Sequence, residues 1–127
     1  MIAATYATTR TDGTKSFGPF ATEKLAEVGL SLLDWQAETL DELLECDRDG
    51  RLTRTTGVVI CPRRNGKSAL LLGRCLFGMM YLEERNVVYS AHLADTDRSA
   101  FQALESITRH RKLAPRVRKM LRAEGRA

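Results

Sequence analysis

The chain has 127 residues, of which 43% are hydrophobic and 28% are charged, and its formal net charge is +4 at pH 7. These values are typical of one globular domain at most and exclude a fibrous or largely disordered chain. The longest apolar stretch, residues 69–82, is too short and too polar to cross a membrane, and the N-terminus lacks a signal-peptide pattern. Cys46, Cys61 and Cys75 share no short metal-ligand spacing, so we predict neither a zinc site nor a disulfide framework.

Residues 1–22 are rich in Thr, Ala, Ser and Gly and lack apolar periodicity, which predicts an exposed and poorly ordered leader. The folded part is predicted to be residues 23–127. Asp34 is a candidate N-cap for a helix in which Trp35 and Leu40 are among the apolar residues at helical spacing. We expect this helix to end near Cys46.

The segment from Asp47 to Arg51 contains the Asp-x-Asp-Gly pattern of a calcium loop, but Val58 stands where that loop needs its bidentate Glu. We therefore interpret the segment as a connector. The β-branched run at residues 55–61 then predicts a short buried strand of the kind found in parallel sheets.

After this run, the composition of residues 68–81 predicts a helix, and residues 86–90 predict a second short strand. Strand, helix and strand in this order indicate a βαβ unit. Asp95 or Thr96 is expected to cap a further helix, which Pro115 interrupts.

Basic residues crowd the end of the sequence and face few acidic ones there. This composition indicates either contact with a polyanion or a solvated helix face. The basic residues are Arg109, Arg111, Lys112, Arg116, Arg118, Lys119, Arg122 and Arg126.

Residues 61–68, Cys-Pro-Arg-Arg-Asn-Gly-Lys-Ser, predict a phosphate-binding loop because they lie between a predicted strand and a predicted helix. Gly66 allows the backbone to approach a phosphate, Lys67 can reach the β- and γ-phosphate oxygens, and the Ser68 hydroxyl can bind Mg²⁺. The usual pattern is G-x-x-x-x-G-K-[ST], in which Cys61 replaces the first glycine. An ordinary strand-to-helix turn is the alternative.

Three blocks together resemble the N-terminal part of the large terminase subunit of tailed bacteriophages. They are Leu-Ser-Leu-Leu-Asp-Trp-Gln at 30–36, the loop at 61–68, and the segment from Tyr89 to Phe101. The resemblance covers about residues 25–127. It implies an α/β fold in which a parallel sheet of the P-loop NTPase type, here incomplete, is flanked by helices.

The resemblance also implies a function: in this family an ATPase domain drives double-stranded DNA into a capsid, and a following nuclease domain cuts it. Implied partners are ATP with Mg²⁺, double-stranded DNA, the portal, the small terminase subunit and further copies in a ring. No membrane contact is expected, and the location would be the cytoplasm of an infected bacterium.

Residue roles follow from the same resemblance. Asn65, Gly66, Lys67 and Ser68 would hold the nucleotide and its metal, and Gln36 would read the adenine edge, since an amide both donates and accepts. Arg63 or Arg64 could stabilise charge on the γ-phosphate. The alternatives are a surface amide at Gln36, and arginines that only lie near phosphate or pair with acids elsewhere.

Three more residues, Ser90, His92 and Asp95, follow the second predicted strand, where ligands of α/β sheets bind; a local hydrogen-bonding role is the alternative. Hydrolysis needs an acidic pair at the end of an apolar strand, and Glu83-Glu84 instead follows a predicted helix. We therefore expect a truncated terminase that binds nucleotide and hydrolyses it weakly or not at all. Another helicase-like P-loop ATPase and a non-catalytic DNA-binding fragment remain the competing hypotheses.

Overall fold

A computed structural model describes residues 15–91 and 94–117, except for the side chains of residues 94–97. The chain divides into two compact units, residues 1–88 and residues 89–127. The elements of the first unit are β1 (Lys15–Ser16), α1 (Gly18–Glu27), α2 (Asp34–Leu43), β2 (Glu45–Cys46) and α3 (Lys67–Tyr81). The second unit contains α4 (Ala94–Thr108) and a 3-10 turn at Ala114–Arg116.

The first two helices form a hairpin whose ends are joined by a two-stranded antiparallel ribbon, in which Lys15 pairs with Cys46. The hydroxyl of Ser16 accepts a hydrogen bond from the Gly18 amide at 3.0 Å and donates one to the Asp41 carbonyl at 2.6 Å. The structure thus differs from the predicted leader, because residues 15–22 form β1 and the first half of α1. Residues 1–14 lie outside the described part.

The core of the first unit combines one face from each of its three helices. Phe77 of α3 is 1% exposed, and its ring lies 6.3 Å from that of Phe17 and 6.0 Å from that of Phe20. Apolar side chains at helical spacing have been removed from water on all three helices, which stabilises the unit. The other buried members on these helices are Ala21, Leu25, Leu40, Leu70, Leu72 and Leu76.

After β2, the chain makes the polar turn that was predicted as a connector. The carboxylate of Asp47 accepts hydrogen bonds from the amides of Asp49 at 2.9 Å and Arg51 at 3.0 Å, and Gly50 takes a φ of 76°. The chain then returns to the hairpin, where the Arg54 guanidinium binds the buried carboxylate of Glu45 at 2.9 Å.

The two segments that were predicted as strands, residues 55–61 and 86–90, form no strand hydrogen bonds in the described structure. Val58, Ile60 and Val88 are 79%, 92% and 89% exposed. A strand needs a neighbour to satisfy its backbone groups, and no described residue provides one for these segments. The parallel sheet therefore stays a prediction.

The predicted helices are confirmed with shifted ends. The helix predicted for 68–81 is Lys67–Tyr81, and the one predicted from Asp95 or Thr96 is Ala94–Thr108. The helix predicted from 34 to about 46 ends earlier, at Leu43, because Glu45 and Cys46 pair with β1 instead.

The chain leaves α3 through a turn that an ion pair holds against the helix. The two guanidinium nitrogens of Arg74 bind the two carboxylate oxygens of Glu84 at 2.7 and 3.1 Å, and Glu83 takes a φ of 55°. A side chain at Gly78 would collide with this pair. No helix among the described residues is long and apolar enough to span a membrane.

Candidate functional site

The loop of residues 61–66 turns sharply into α3. Arg64 has a φ of 64°, and Gly66, the residue that caps α3, has a φ of 85° and a ψ of 18°. This left-handed conformation is unfavourable for residues with a Cβ, so glycine at 66 fits the turn. Lys67 is the first residue of the helix, in agreement with the predicted loop-to-helix transition.

Positive charge is concentrated and exposed at this turn. The side chains of Arg63, Arg64, Lys67 and Ser68 are exposed. Within the described part of the chain, neither arginine nor Lys67 forms an ion pair or a side-chain hydrogen bond. The N-terminus of α3 adds roughly half a positive charge at the same place. The described residues therefore show no ion pair between these arginines and acidic residues of other elements, which was one of the alternatives.

Gln36, in the first turn of α2, is bound directly to this loop. Its side-chain nitrogen donates to the Gly66 carbonyl at 2.6 Å, and its side-chain oxygen accepts from the Leu33 amide at 2.7 Å. Gln36 is only 3% exposed. The alternative of a surface amide is thus wrong, whereas adenine recognition by Gln36 stays a prediction.

The contact between α2 and the loop is tight. A Cβ built on Gly66 would lie 2.5 Å from the side-chain nitrogen of Gln36 and 4.0 Å from the Trp35 ring. Glycine is therefore needed at this position for two reasons, its left-handed backbone and the close approach of Gln36. Trp35 is half-buried beside the loop.

Of a possible Mg²⁺ site, the described structure contains only the predicted ligand Ser68. Ser68, the predicted Mg²⁺ ligand, lies exposed at the second residue of α3. Among the described residues, no group of three or more His, Cys, Asp or Glu side chains could hold a metal ion. Glu84 is bound to Arg74 and follows the C-terminal end of α3, whereas the loop precedes its N-terminal end. Magnesium binding at Ser68 stays a prediction.

Some of the remaining predicted site residues lie inside the described part of the chain and others lie outside it. Cys61 and Asn65 are half-exposed in the loop. Ser90 is exposed, His92 lies outside the described residues, and the side chain of Asp95 is not among those described. The structure therefore places Gln36 beside the loop. A role in ligand binding for Ser90, His92 and Asp95 stays a prediction.

The hydrogen bond between Gln36 and Gly66 was not predicted from the sequence. A partial signal exists, because Gln at the third helical position often accepts from the N-cap amide, as Gln36 does from Leu33. The usual Ser or Thr of that capping pattern is replaced by Leu33. The other half of the contact, thirty residues along the chain, has no counterpart in a local pattern.

Comparison with known proteins gives no further indication: no family model, no curated protein and no solved structure matches this chain.

Proposed function

We propose that residues 61–68 bind the phosphates of ATP with Mg²⁺. The observation that carries this proposal is the left-handed Gly66, which opens α3 and leaves Lys67 and Ser68 exposed at the helix N-terminus. Backbone amides at such a turn point outward, and the helix dipole favours an anion there. The exposed, unpaired cations of the loop support the same chemistry.

Each loop residue has a role in this proposal. Lys67 would neutralise the phosphates, Ser68 would help to hold the Mg²⁺ that accompanies them, and Arg63 or Arg64 would stabilise negative charge on the γ-phosphate. Asn65 and Gly66 shape the loop around the phosphates, and Gln36 belongs to the same site through its bond to Gly66.

At the level of the whole protein, we propose the ATP-binding part of a phage DNA-packaging terminase large subunit. In this proposal, the full-length protein uses ATP hydrolysis to move double-stranded DNA into the capsid, as a ring that works with the portal and the small subunit. It acts in the cytoplasm of the infected bacterium. Residues 55–61 and 86–90 become strands of a parallel P-loop sheet, which would cover their exposed apolar side chains.

The test is equilibrium binding of a fluorescent ATP analogue in the presence of Mg²⁺. We expect Lys67→Ala to weaken binding by at least about tenfold, since it removes a charge-assisted contact to phosphate. Lys15→Ala is the matched control, because Lys15 is an exposed lysine of β1 and should not affect binding. A folded protein that does not bind the analogue, or equal binding by the Lys67 variant, contradicts the proposal.

Hydrolysis is a separate expectation. The sequence contains no Asp-Glu pair at the end of an apolar strand, so we expect ATP hydrolysis by this chain to be weak or absent. Rapid Mg²⁺-dependent turnover that Lys67→Ala abolishes would show this expectation to be wrong. Helicase-like motifs beyond residue 127 would favour another helicase-like ATPase over a terminase.

A second candidate function, DNA binding without catalysis, is favoured by the exposed basic residues that follow α4. Arg109, Arg111, Lys112 and Arg116 are all exposed, although Arg109 binds Glu105 at 2.9 Å. Contacts of this kind lose affinity steeply as salt rises, because counterions are released on binding. Salt-sensitive DNA binding that is indifferent to ATP would support this candidate.

A further inference from the structure

The amide of Gln36 links the start of α2 to the start of α3. One hydrogen bond joins its oxygen to the Leu33 amide, and the other joins its nitrogen to the Gly66 carbonyl. The side chain can form up to four hydrogen bonds, so two remain in principle. Only 3% of Gln36 is exposed, however, so a nucleobase that arrives from solvent cannot reach the amide to form these two hydrogen bonds.

We infer that Gln36 is a positioning residue of the phosphate loop, which acts on every triphosphate alike instead of selecting adenine. The inference rests on the proposed function, since it describes how the same loop is held. It departs from the role that the family resemblance implies for this glutamine.

The geometry of one peptide bond explains the mechanism. The carbonyl of Gly66 accepts from Gln36 at 2.6 Å and from the Leu70 amide at 3.4 Å. A trans peptide is planar, so its N–H points opposite to its carbonyl. By holding the Gly66 carbonyl towards α2 and the helix, Gln36 therefore aims the Lys67 amide away from α2, out of the helix N-terminus.

This amide is one of the donors that a phosphate would use at the N-terminus of α3. Gln36 thus sets the direction of a phosphate-binding donor without touching the ligand. The contribution does not depend on the base, because the base takes no part in the contact. ATP, GTP and inorganic tripolyphosphate should all benefit equally.

The deciding variant is Gln36→Glu, measured between about pH 7 and pH 9, because burial raises the pKa of a carboxyl group and only its ionised form lacks the donor. About 0.5 M salt is present, which screens the added charge from the phosphates. The carboxylate of this variant can still accept from the Leu33 amide, but it cannot donate to the Gly66 carbonyl. The control is Glu38→Gln, which changes an exposed residue of the same helix by the same pair of groups. Affinities for Mg²⁺ complexes of ATP, GTP and tripolyphosphate are compared in all three proteins.

We expect Gln36→Glu to weaken binding of all three ligands by about tenfold, the usual effect of losing one buried hydrogen bond. The ratios among the three ligands should stay within about twofold, and Glu38→Gln should match the original protein. A loss confined to ATP, with tripolyphosphate unchanged, would identify an adenine reader and overturn the inference. Unchanged binding of all three would overturn it as well.

Amide hydrogen exchange separates this inference from the proposed function, because it needs no ligand. We expect the Leu70 amide, which is bonded to the Gly66 carbonyl, to exchange faster in Gln36→Glu than in Glu38→Gln, since the loop loses its link to α2. Equal exchange in the two variants overturns the inference. If the original protein binds none of the three ligands, the proposed function fails, and exchange alone decides whether Gln36 positions the loop.

Discussion

Two regions of the first unit make different use of apolar residues. In α1, α2 and α3, apolar side chains are buried in a shared core, with Leu25, Leu40 and Phe77 at most 2% exposed. In the segment from residue 55 to residue 61, Val58 and Ile60 are 79% and 92% exposed, although this segment is also rich in apolar residues. Composition alone therefore does not decide which residues enter the core.

The difference lies in the source of the backbone hydrogen bonds. A helix satisfies its own N–H and carbonyl groups, so α3 needs only an apolar surface against which to pack. A central strand needs hydrogen-bonding neighbours on both sides, and its side chains become buried only when the sheet and its covering helices are present. Three experiments test this difference.

The largest effect is expected for truncation of one apolar side chain in each region. Phe77→Ala should lower the free energy of unfolding by about 3–5 kcal/mol, because it opens a cavity among the aromatic rings, whereas Ile60→Ala should change it by less than about 0.5 kcal/mol. Urea denaturation of the two variants gives both values. A cost above about 1 kcal/mol for Ile60→Ala would mean that the segment is packed.

A smaller effect is expected where the ordered hairpin meets the exposed segment. Arg54 is 23% exposed and binds Glu45, which is 1% exposed. Arg54→Met should lower the free energy of unfolding by about 2 kcal/mol, because it leaves the Glu45 carboxylate without this cation. The loss is smaller than for a fully buried ion pair, since Arg54 is partly exposed to solvent. Chemical denaturation measures the loss.

The double variant Arg54→Met/Glu45→Met serves as the control for this ion pair. It removes both charges together, so it should recover part of the stability that Arg54→Met loses. If Arg54→Met is as stable as the original protein, the ion pair with Glu45 does not stabilise the fold, which contradicts the prediction.

The smallest effect is expected for the chemical reactivity of the Cys75 thiol. Burial raises the pKa of the Cys75 thiol above its ordinary value of 9.0, so less thiolate is present at a given pH. Alkylation of Cys75 with iodoacetamide should therefore reach half of its maximal rate above pH 9.0. Cys61, in the loop, provides the internal comparison, and mass spectrometry of both peptides follows the rates. A midpoint for Cys75 below pH 9.0 contradicts the prediction.

The helices could be predicted from the sequence because their signals are local. The 3.6-residue spacing around Leu40 and the run that follows Gly66 placed α2 and α3 within a few residues of their observed bounds. The ordering of residues 15–22 could not be predicted, because it depends on pairing with residues 45 and 46, far along the chain. The composition of residues 15–22, taken without residues 45 and 46, predicts an unstructured leader.

The site was predictable in part for the same reason. Gly66, Lys67 and Ser68 lie in one continuous motif, so their place at the start of a helix followed from the sequence. Gln36 was selected through a family resemblance, yet its bond to the Gly66 carbonyl depends on how α2 packs beside α3. No spacing rule contains that information.

The ribbon of β1 and β2 also has a consequence for the order of folding. It pairs Lys15 with Cys46, so the hairpin of α1 and α2 is closed by residues that all precede α3. The hairpin is therefore complete in sequence before α3 begins, and an N-terminal unit emerges first during synthesis. During synthesis on a ribosome, we expect the hairpin to assemble first and to provide the surface on which α3, and with it the loop at 61–66, is then placed.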